Sequence, residues 1–350
     1  MKVFHEGETR KIYEVVAEDF DGFVGTVLAV ETNDRISNYD EVAPGLRVKS
    51  KGAIITLMNE GWASFIDFGA SVGDTIVGPW AMKFADEVMH SPSSTELYVE
   101  TASLKMGYIE ESLREDPDAV ECLMDKNNIQ YQMLLFMIPI EYRVYGYLIG
   151  PLWKAYHEDG LRDFYGVKLP DGLLEADELP EPILVTLAKP LAQEGVEDIS
   201  PEGIIHILSR DDLFKRYVDS DKARYTAEQV ADLTRKASIY YYKKAHDYAK
   251  SRGVIIADAK FEYGFAKDGC IYMGDDVLTP ETSHFWLVSD YEPGHPQPSA
   301  VMKSAQTHIA MKKQAGLTNI AISADVVDEI TKAYRNLCSI LFPGAELPRR

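Results

Sequence analysis

The chain has 350 residues, 46% of them hydrophobic, which is enough for one large domain or two packed lobes. Its formal net charge of −20 argues against a nucleic-acid-binding surface, because contact with phosphate backbones needs clustered Lys and Arg. The sequence shows neither an apolar run long enough to span a membrane nor a signal peptide. Three cysteines (Cys122, Cys270 and Cys338) share no metal-type spacing, which predicts thiols in a reducing cytoplasm.

The first third of the chain is rich in strand patterns. Lys11–Val16 and Phe23–Glu31 are typical of strands, with turn-like residues between them. Ser50–Glu60 has a helical pattern, which we expect to end before Gly61. The apolar run Ile129–Ile140 predicts a buried strand that leads into a hinge between two lobes.

The second half of the chain contains two clear helical patterns. Thr226 and Gln229 form a capping-box pair at the start of the first one, and Gly253 supplies its C-terminal stop. The second runs from Asp325 to Leu341. The apolar stripes of both patterns indicate packing faces rather than functional surfaces.

The segment Val254–Gly264 is the most informative part of the sequence. If it is a strand, its period of two places Asp258, Lys260 and Glu262 on one face. The alternating residues Ala259, Phe261 and Tyr263 then fall on the opposite face. The acidic face is either an ordinary solvated surface or a site for phosphate chemistry.

Asp268-Gly269 is a strong hairpin signal, and the returning strand leads to Asp275. A two-residue loop would place Glu262 opposite Asp275, whereas a four-residue loop would shift that register. Like charges across a strand pair are destabilising unless they are neutralised. Mg²⁺ with bound phosphates would neutralise them, because this ion takes one or two carboxylates plus phosphate oxygens as ligands.

Five segments of the chain carry recognisable motifs. In chain order they are Gly7–Tyr13, Thr32–Asp40, Pro139–Pro151, Leu179–Ile183 with Ile199-Ser200, and Val254–Trp286. Together they resemble the SAICAR synthetase family of purine-pathway ligases. The strand from Asp258 is similar to the family's Asp-x-Lys-x-Glu pattern, and the residues that follow it are similar to the family's Thr-Pro and Phe-Trp pairs. The resemblance covers roughly residues 5–300.

The resemblance implies an α+β fold of two lobes, 1–138 and 139–350, with an ATP cleft between them like that of ATP-grasp enzymes and kinases. It implies ATP and Mg²⁺ as cofactors. ATP would phosphorylate a substrate carboxylate to give an acyl phosphate, and an amine such as aspartate would displace the phosphate to form an amide.

The resemblance also implies roles for individual residues. Asp258 and Lys260 would be catalytic and organise the phosphates, and Glu262 and Asp275 would bind the metal. The residues expected to bind ATP are Arg10, Lys11, Met137 and Ile138. The residues expected to bind substrate are Asp34, Arg35, Ser37, Arg143, Tyr145, Ser283 and His284.

Several positions depart from the family pattern. Glu8 and Arg10 stand where the phosphate loop usually carries two Lys residues. Tyr145 and His284 each replace an Arg, and Pro151 replaces a Ser. An Arg fork binds phosphate more strongly than a neutral hydroxyl does, so the nucleotide-phosphate pocket is weakened while the acidic strand is kept.

The sequence therefore predicts an ATP-dependent ligase that joins an unphosphorylated acid to an amino acid in a specialised biosynthetic pathway. The first alternative is an authentic SAICAR synthetase of purine biosynthesis. A phosphotransferase is disfavoured because the chain lacks the His-Arg-Asp and Asp-Phe-Gly segments of protein kinases. A non-catalytic nucleotide-binding protein is suggested only by Glu8, and assembly into a homo-oligomer is left open.

Overall fold

The computed structural model describes residues 2–20, 23–36, 43, 45–68, 103–104, 126–189, 199–218, 220, 223–267, 269–317 and 320–345. These residues form a five-stranded sheet, a six-stranded sheet and a small two-stranded sheet, together with helices that pack on them. This is the α+β architecture that the sequence predicts.

The first sheet has five strands: β1 (Lys2–Glu6), β2 (Arg10–Phe20), β3 (Phe23–Thr32), β4 (Ser103–Leu104) and β5 (Ile129–Met133). They are antiparallel and follow the order β1-β2-β3-β5-β4 across the sheet. Strands β2 and β3 confirm the two predicted strands, and both are longer than expected. Helix α1 (Lys51–Phe68) packs against β3 and β5.

Helix α1 does not end before Gly61, so that prediction is wrong. The helix continues to Phe68, and Gly61 lies against the ring of Phe342. A Cβ atom at position 61 would come within 2.7 Å of this ring. Trp62 also contacts Phe342 edge-to-face, with ring centroids 5.2 Å apart. The glycine therefore permits a close helix contact rather than terminating the helix.

The second sheet has six strands: β6 (Phe136–Met137), β7 (Ile140–Tyr147), β10 (Glu178–Ala188), β11 (Val254–Phe265), β12 (Ile271–Gly274) and β13 (Ser283–Leu287). Strand β11 lies at its centre and pairs antiparallel with β7, β13, β12 and β6. Strand β10 pairs with the other edge of β7. Strands β8 (Asp163–Phe164) and β9 (Val167–Lys168) form the small hairpin.

The apolar run Ile129–Ile140 is not one strand, in contrast to the prediction. It contributes β5 to the first sheet, β6 to the second sheet, and the first residue of β7. Pro139 interrupts it because proline has no N–H group to donate to a strand ladder. The run therefore carries the chain from one sheet to the other, whereas the division into lobes at residue 138 stays a prediction.

The helices that follow α1 are α2 (Gly150–His157), α3 (Pro201–Arg210), α4 (Asp212–Val218), α5 (Ala227–Ser251), α6 (Lys303–Gln314) and α7 (Ala324–Leu341). The predicted capping box at Thr226 and Gln229 is confirmed at the start of α5. Helix α5 packs on β11, and α7 contacts α1. In the described part of the chain, no helix combines the length and the apolar character that crossing a membrane requires.

Candidate active site

The face of β11 that points away from α5 carries the predicted acidic residues. Ala259, Phe261 and Tyr263 lie in the hydrophobic core to which α5 contributes. Asp258 and Glu262 lie on the other face, and they are only 1% and 3% exposed. The predicted division of the strand into two faces is therefore confirmed.

The predicted pairing of Glu262 with Asp275 is wrong, because Glu262 pairs with Gly274. The N–H of Ala266 donates to the carbonyl of Cys270 at 2.9 Å, which leaves a three-residue connection, 267–269. Gly269 adopts the left-handed conformation (φ +84°) that such three-residue loops require. Asp268 itself lies outside the described residues.

Lys260 nevertheless bridges Asp275 and Glu262. The Lys260 Nζ atom lies 2.6 Å from Glu262 Oε1 and 3.0 Å from Asp275 Oδ2. Asp275 follows β12 and adopts a left-handed backbone conformation (φ +60°). One ammonium group is thus held between the two carboxylates.

Two more cations contact this cluster. The Arg10 guanidinium donates to Asp275 Oδ1 at 2.6 Å and also pairs with Asp276. Lys189 pairs with Glu262 from the end of β10. Burial raises the pKa of Asp275, but the charges of Arg10 and Lys260 outweigh this and lower it to about 2.

The pKa of Lys260 is raised, because the attraction of Asp275 and Glu262 exceeds the effect of burial. Both Lys260 and Asp275 are therefore ionised at neutral pH. Such a compact array of opposite charges is suited to phosphoryl transfer, in which catalysis consists of positioning and electrostatic stabilisation.

The donor set formed by Glu262 and Asp275 fits Mg²⁺. Both are carboxylates, the hard oxygen ligands that this ion prefers, and both already contact one shared cation. In the residues that the structure describes, no group of three or more His, Cys, Asp and Glu side chains is arranged to hold a metal. Mg²⁺ would therefore take its remaining ligands from phosphate oxygens and water.

A second cluster surrounds Asp258. Arg143 Nη1 donates to Asp258 Oδ2 at 2.9 Å from the neighbouring strand β7. The His284 backbone N–H lies 2.9 Å from Asp258 Oδ1, and its ring Nδ1 lies 2.7 Å from the same oxygen. The buried carboxylate therefore fixes the Arg143 guanidinium on one side of β11 and the His284 imidazole on the other.

These contacts determine the protonation of the cluster. The hydrogen bond and charge of Asp258 raise the pKa of His284. Burial raises the pKa of Asp258, but its contacts with His284 and Arg143 more than offset this, so that its pKa lies below the ordinary value. The His284 side chain is 63% exposed, so the imidazole is accessible from solvent.

Tyr145 shares the face of Arg143, as the strand period predicts. The two residues pair with Asp258 and Lys260, respectively, across β7 and β11. Tyr145 is 7% exposed and packs in a hydrophobic cluster that includes Ile183. Burial raises the pKa of its hydroxyl, which stays protonated.

The side chain of Ser283 points to the opposite face of the sheet from the side chain of His284. It pairs with Ala259, whose side chain lies in the core shared with α5. The Ser283 hydroxyl is buried and has no hydrogen-bond partner in the described part of the chain. The structure therefore does not bring its side chain into the cluster around Asp258.

Two of the predicted acceptor-site residues, Asp34 and Arg35, contact the start of α1. The Asp34 carboxylate accepts hydrogen bonds from the backbone N–H groups of Ser50 (3.1 Å) and Gly52 (3.0 Å), where it satisfies amides at the helix start. Arg35 Nη2 lies 3.9 Å from Glu8 Oε1. Ser37 lies outside the described residues.

The Lys11 side chain does not face the acidic cluster. Neighbouring residues of a strand point to opposite faces, so Lys11 points away from Arg10. Its Nζ atom lies 3.4 Å from Glu6 and 5.6 Å from the centre of the Tyr13 ring. Arg10 is thus the cation of this segment that reaches the acidic cluster.

Backbone groups of the hinge residue Ile138 already form hydrogen bonds within the protein. The Ile138 N–H donates to the carbonyl of Tyr263, and its carbonyl accepts from the N–H of Ile140, both at 2.8 Å. Met137 lies in β6, opposite Gly264. An adenine-binding role for Met137 and Ile138 stays a prediction.

The chain matches a known protein family along most of its length. Residues 3–305 match the sequence model of the family described as SAICAR synthetase.

The chain belongs to the SAICAR synthetase family.

Its relatives include two proteins named phosphoribosylaminoimidazole-succinocarboxamide synthase. The one from Lachnospira eligens is 28% identical over 349 residues, which cover 100% of this chain and 97% of the relative. The one from Saccharomyces cerevisiae is 31% identical over 329 residues, which cover 94% and 90%. The fold is similar to a solved SAICAR synthase from S. cerevisiae complexed with SAICAR, with a TM-score of 0.65 and 27% identity over 100% of this chain and 96% of that one.

The chain is accordingly an ATP-dependent ligase that forms carbon–nitrogen bonds. Membership of the SAICAR synthetase family sets aside the phosphotransferase and non-catalytic alternatives. The sequence does not indicate three residues that contact the acidic cluster, namely Asn59, Gln132 and Lys189. Asp276 adjoins Asp275 in the same acidic pair, and this position is the signal for its contact with Arg10.

Proposed function

We propose that this ligase joins aspartate to the carboxylate of a phosphoribosylaminoimidazole, the reaction that gives its relatives their name. The support is similarity along nearly the whole chain to proteins of that name, at 28% and 31% identity. These relatives favour the purine-pathway reaction over the interpretation with an unphosphorylated acid.

The observation that carries this proposal is the position of Lys260 between Glu262 and Asp275, 2.6 Å and 3.0 Å from their oxygens. Glu262 and Asp275 would hold Mg²⁺, which supplies charge neutralisation to the phosphates when it is bound. The Lys260 ammonium would stabilise the negative charge of the phosphoryl group as it moves to the substrate carboxylate. Arg10 reaches Asp275 and Asp276 from the first sheet and would orient the phosphates.

The cluster around Asp258 is proposed to bind the acid substrate. Asp258 holds Arg143 and His284 on either side of β11, and its charge favours the protonated form of His284 because it raises the pKa of the imidazole. A guanidinium and an imidazole fixed beside the phosphate-transfer residues suit an anionic substrate that must present its carboxylate to the transferred phosphoryl group.

The cellular setting is proposed to be cytoplasmic. Cys270 and Cys338, the cysteines in the described part of the chain, are not joined in a disulfide. Thiols persist in this state in reducing compartments.

One observation favours a second candidate, a ligase for an acid without the ribonucleotide phosphate. Tyr145 stands where the family has an Arg, and it is buried against apolar residues. The guanidinium of its neighbour Arg143 is already hydrogen-bonded to Asp258. With Tyr at position 145, the pocket offers a phosphate dianion fewer uncommitted cations than it would with Arg at this position.

The two candidates are separated by their acid substrate. ATP-dependent phosphate release would be measured with aspartate and the carboxylated aminoimidazole ribonucleotide, and then with the same nucleoside lacking the 5′-phosphate. A preference for the ribonucleotide, together with formation of the succinocarboxamide, would support the main proposal. Turnover of the nucleoside or another unphosphorylated acid, with none of the ribonucleotide, would refute it and support the second candidate.

A further inference from the structure

Asn59 is a fully buried polar residue in the middle of α1, far from the helix ends. Its amide Nδ2 donates to Gln130 Oε1 at 2.6 Å and to Asp276 Oδ1 at 3.0 Å. Its Oδ1 atom accepts from the backbone N–H of Val277 at 2.9 Å. Both donor hydrogens and the acceptor of this side chain are therefore in use.

The contacts of Asn59 converge on the segment that carries Asp275. The second oxygen of Asp276 accepts from Arg10 and, at 3.4 Å, from the hydroxyl of Thr279. Gln132 Nε2 donates to the backbone carbonyl of Asp275 at 3.2 Å. Residues of the first sheet and of α1 thus form hydrogen bonds with Asp275 and Asp276, which follow β12 of the second sheet.

The backbone of Asp275 needs such support. It adopts a left-handed conformation (φ +60°), which residues other than glycine adopt rarely and which persists where the surrounding structure fixes it. Asn59 supplies that restraint on the C-terminal side of Asp275, because it binds the Asp276 carboxylate and the Val277 amide at once.

We propose that Asn59 is a positioning residue that fixes Asp275 as a metal ligand, acting through Asp276 and Val277. The inference rests on the proposed function, in which Glu262 and Asp275 hold Mg²⁺. Partners that orient a metal ligand commonly change metal affinity when they are mutated, although they never contact the ion.

The competing explanation is that Asn59 only stabilises the core. A buried amide contributes to stability wherever its hydrogen bonds are satisfied. The two roles differ in one observable, since only a positioning role changes how strongly Mg²⁺ increases the affinity for a nucleotide.

The test is titration calorimetry of ADP binding to the full chain, with and without Mg²⁺. Asn59→Ser removes both amide donors without introducing a charge. We expect this variant to reduce the Mg²⁺-dependent gain in ADP affinity about tenfold or more. ADP affinity without Mg²⁺ should stay at the wild-type value.

A matched control is Thr234→Val, which removes a buried hydrogen bond to the Tyr142 hydroxyl (2.9 Å) on the α5 side of the sheet. It should lower stability yet leave the Mg²⁺-dependent gain unchanged. If Asn59→Ser and wild-type protein show the same gain, or if Asn59→Ser lowers ADP affinity equally with and without Mg²⁺, the positioning role is wrong.

An exchange of groups adds a second test in case a single variant does not fold. Asn59→Asp places two carboxylates together, whereas the double variant Asn59→Asp/Asp276→Asn restores one amide and one carboxylate in exchanged positions. Asp276→Asn by itself removes the charge that pairs with Arg10, so the double variant is compared with Asp276→Asn. We expect Asn59→Asp to reduce the Mg²⁺-dependent gain less in the Asp276→Asn background than in wild-type protein. An equal reduction in both backgrounds, in folded protein, would contradict the proposal. Wild-type binding of ADP that is independent of Mg²⁺ would instead refute the proposed metal site itself, and this inference with it.

Discussion

Arg10 and Asp275 are separated by 265 positions in the sequence, yet Arg10 Nη1 lies 2.6 Å from Asp275 Oδ1. Arg10 is the first residue of β2 in the first sheet, and Asp275 follows β12 in the second. This ion pair joins the segment Gly7–Tyr13 to the acidic strand pair. The guanidinium fork of Arg10 contacts both Asp275 and Asp276, which a single lysine ammonium could not direct in the same way.

Arg10→Lys should therefore lower kcat/KM for ATP. A single ammonium cannot reproduce two directed contacts, so we expect a loss of roughly tenfold. Lys11→Met is the matched control, because Lys11 lies on the opposite face of the same strand and pairs with Glu6. Steady-state kinetics with varied ATP would measure both. An equal loss in the Lys11 variant would contradict the assigned directions of the two side chains.

Asp275→Asn and Glu262→Gln should each lower the rate of ATP-dependent phosphate release about 10²-fold or more, because each removes charge from the proposed phosphate site. Circular dichroism should show that the fold is retained. Glu181→Gln serves as the control, since Glu181 forms an exposed ion pair with Lys243. Near-normal rates in either site variant would rule out the proposed metal ligands.

His284 should titrate above the ordinary histidine value of about 6.5, because Asp258 raises its pKa. Its contribution to stability is then complete below the unfolded-state pKa and is lost as the pH rises through the folded-state pKa. NMR titration of the imidazole would measure this, with Asp258→Asn expected to bring the pKa down. A wild-type pKa at or below the ordinary value would show that the pair is not formed in solution.

Tyr145→Arg combined with His284→Arg should raise the affinity for phosphorylated ligands. Both positions flank Asp258 on the same face, and each change provides a guanidinium fork for a phosphate. The KM of the ribonucleotide should fall relative to that of the nucleoside without the 5′-phosphate. Tyr145→Phe, which removes only the hydroxyl, should not show this change. An unaltered KM ratio in the double variant would refute this account of the pocket.

Gly61→Ala should destabilise the fold by about 1–3 kcal/mol, as overpacking of a core commonly does. The added Cβ would lie 2.7 Å from the ring of Phe342. Chemical denaturation would measure the loss, and Phe342→Leu in the same chain should relieve part of it. If Gly61→Ala is as stable as wild type, the close contact between α1 and Phe342 is not maintained in solution.

Much of the site could be predicted because a strand has a period of two. The alternation along β11 and β7 correctly placed Asp258, Lys260 and Glu262 together, and Arg143 on the same face as Tyr145. Both predictions required only that β11 and β7 be identified as strands, and their β-branched and aromatic residues indicate this.

The errors arose where a single residue or a distant contact determines the geometry. The pairing of Glu262 with Gly274 depends on the left-handed Gly269, which adds one residue to the turn. The continuation of α1 past Gly61 depends on Phe342, which lies far along the chain. No local pattern around Asn59 indicates its contact with Asp276.

The acidic face of β11 is proposed to transfer a phosphoryl group from ATP to a substrate carboxylate before the amide forms. The decisive measurement supplies the acid with ¹⁸O in its carboxylate and analyses the released phosphate by mass spectrometry. One ¹⁸O atom should pass to the phosphate, and the Lys260→Met variant should lose this transfer. Phosphate without ¹⁸O, formed while the amide accumulates, would show that no acyl phosphate is formed.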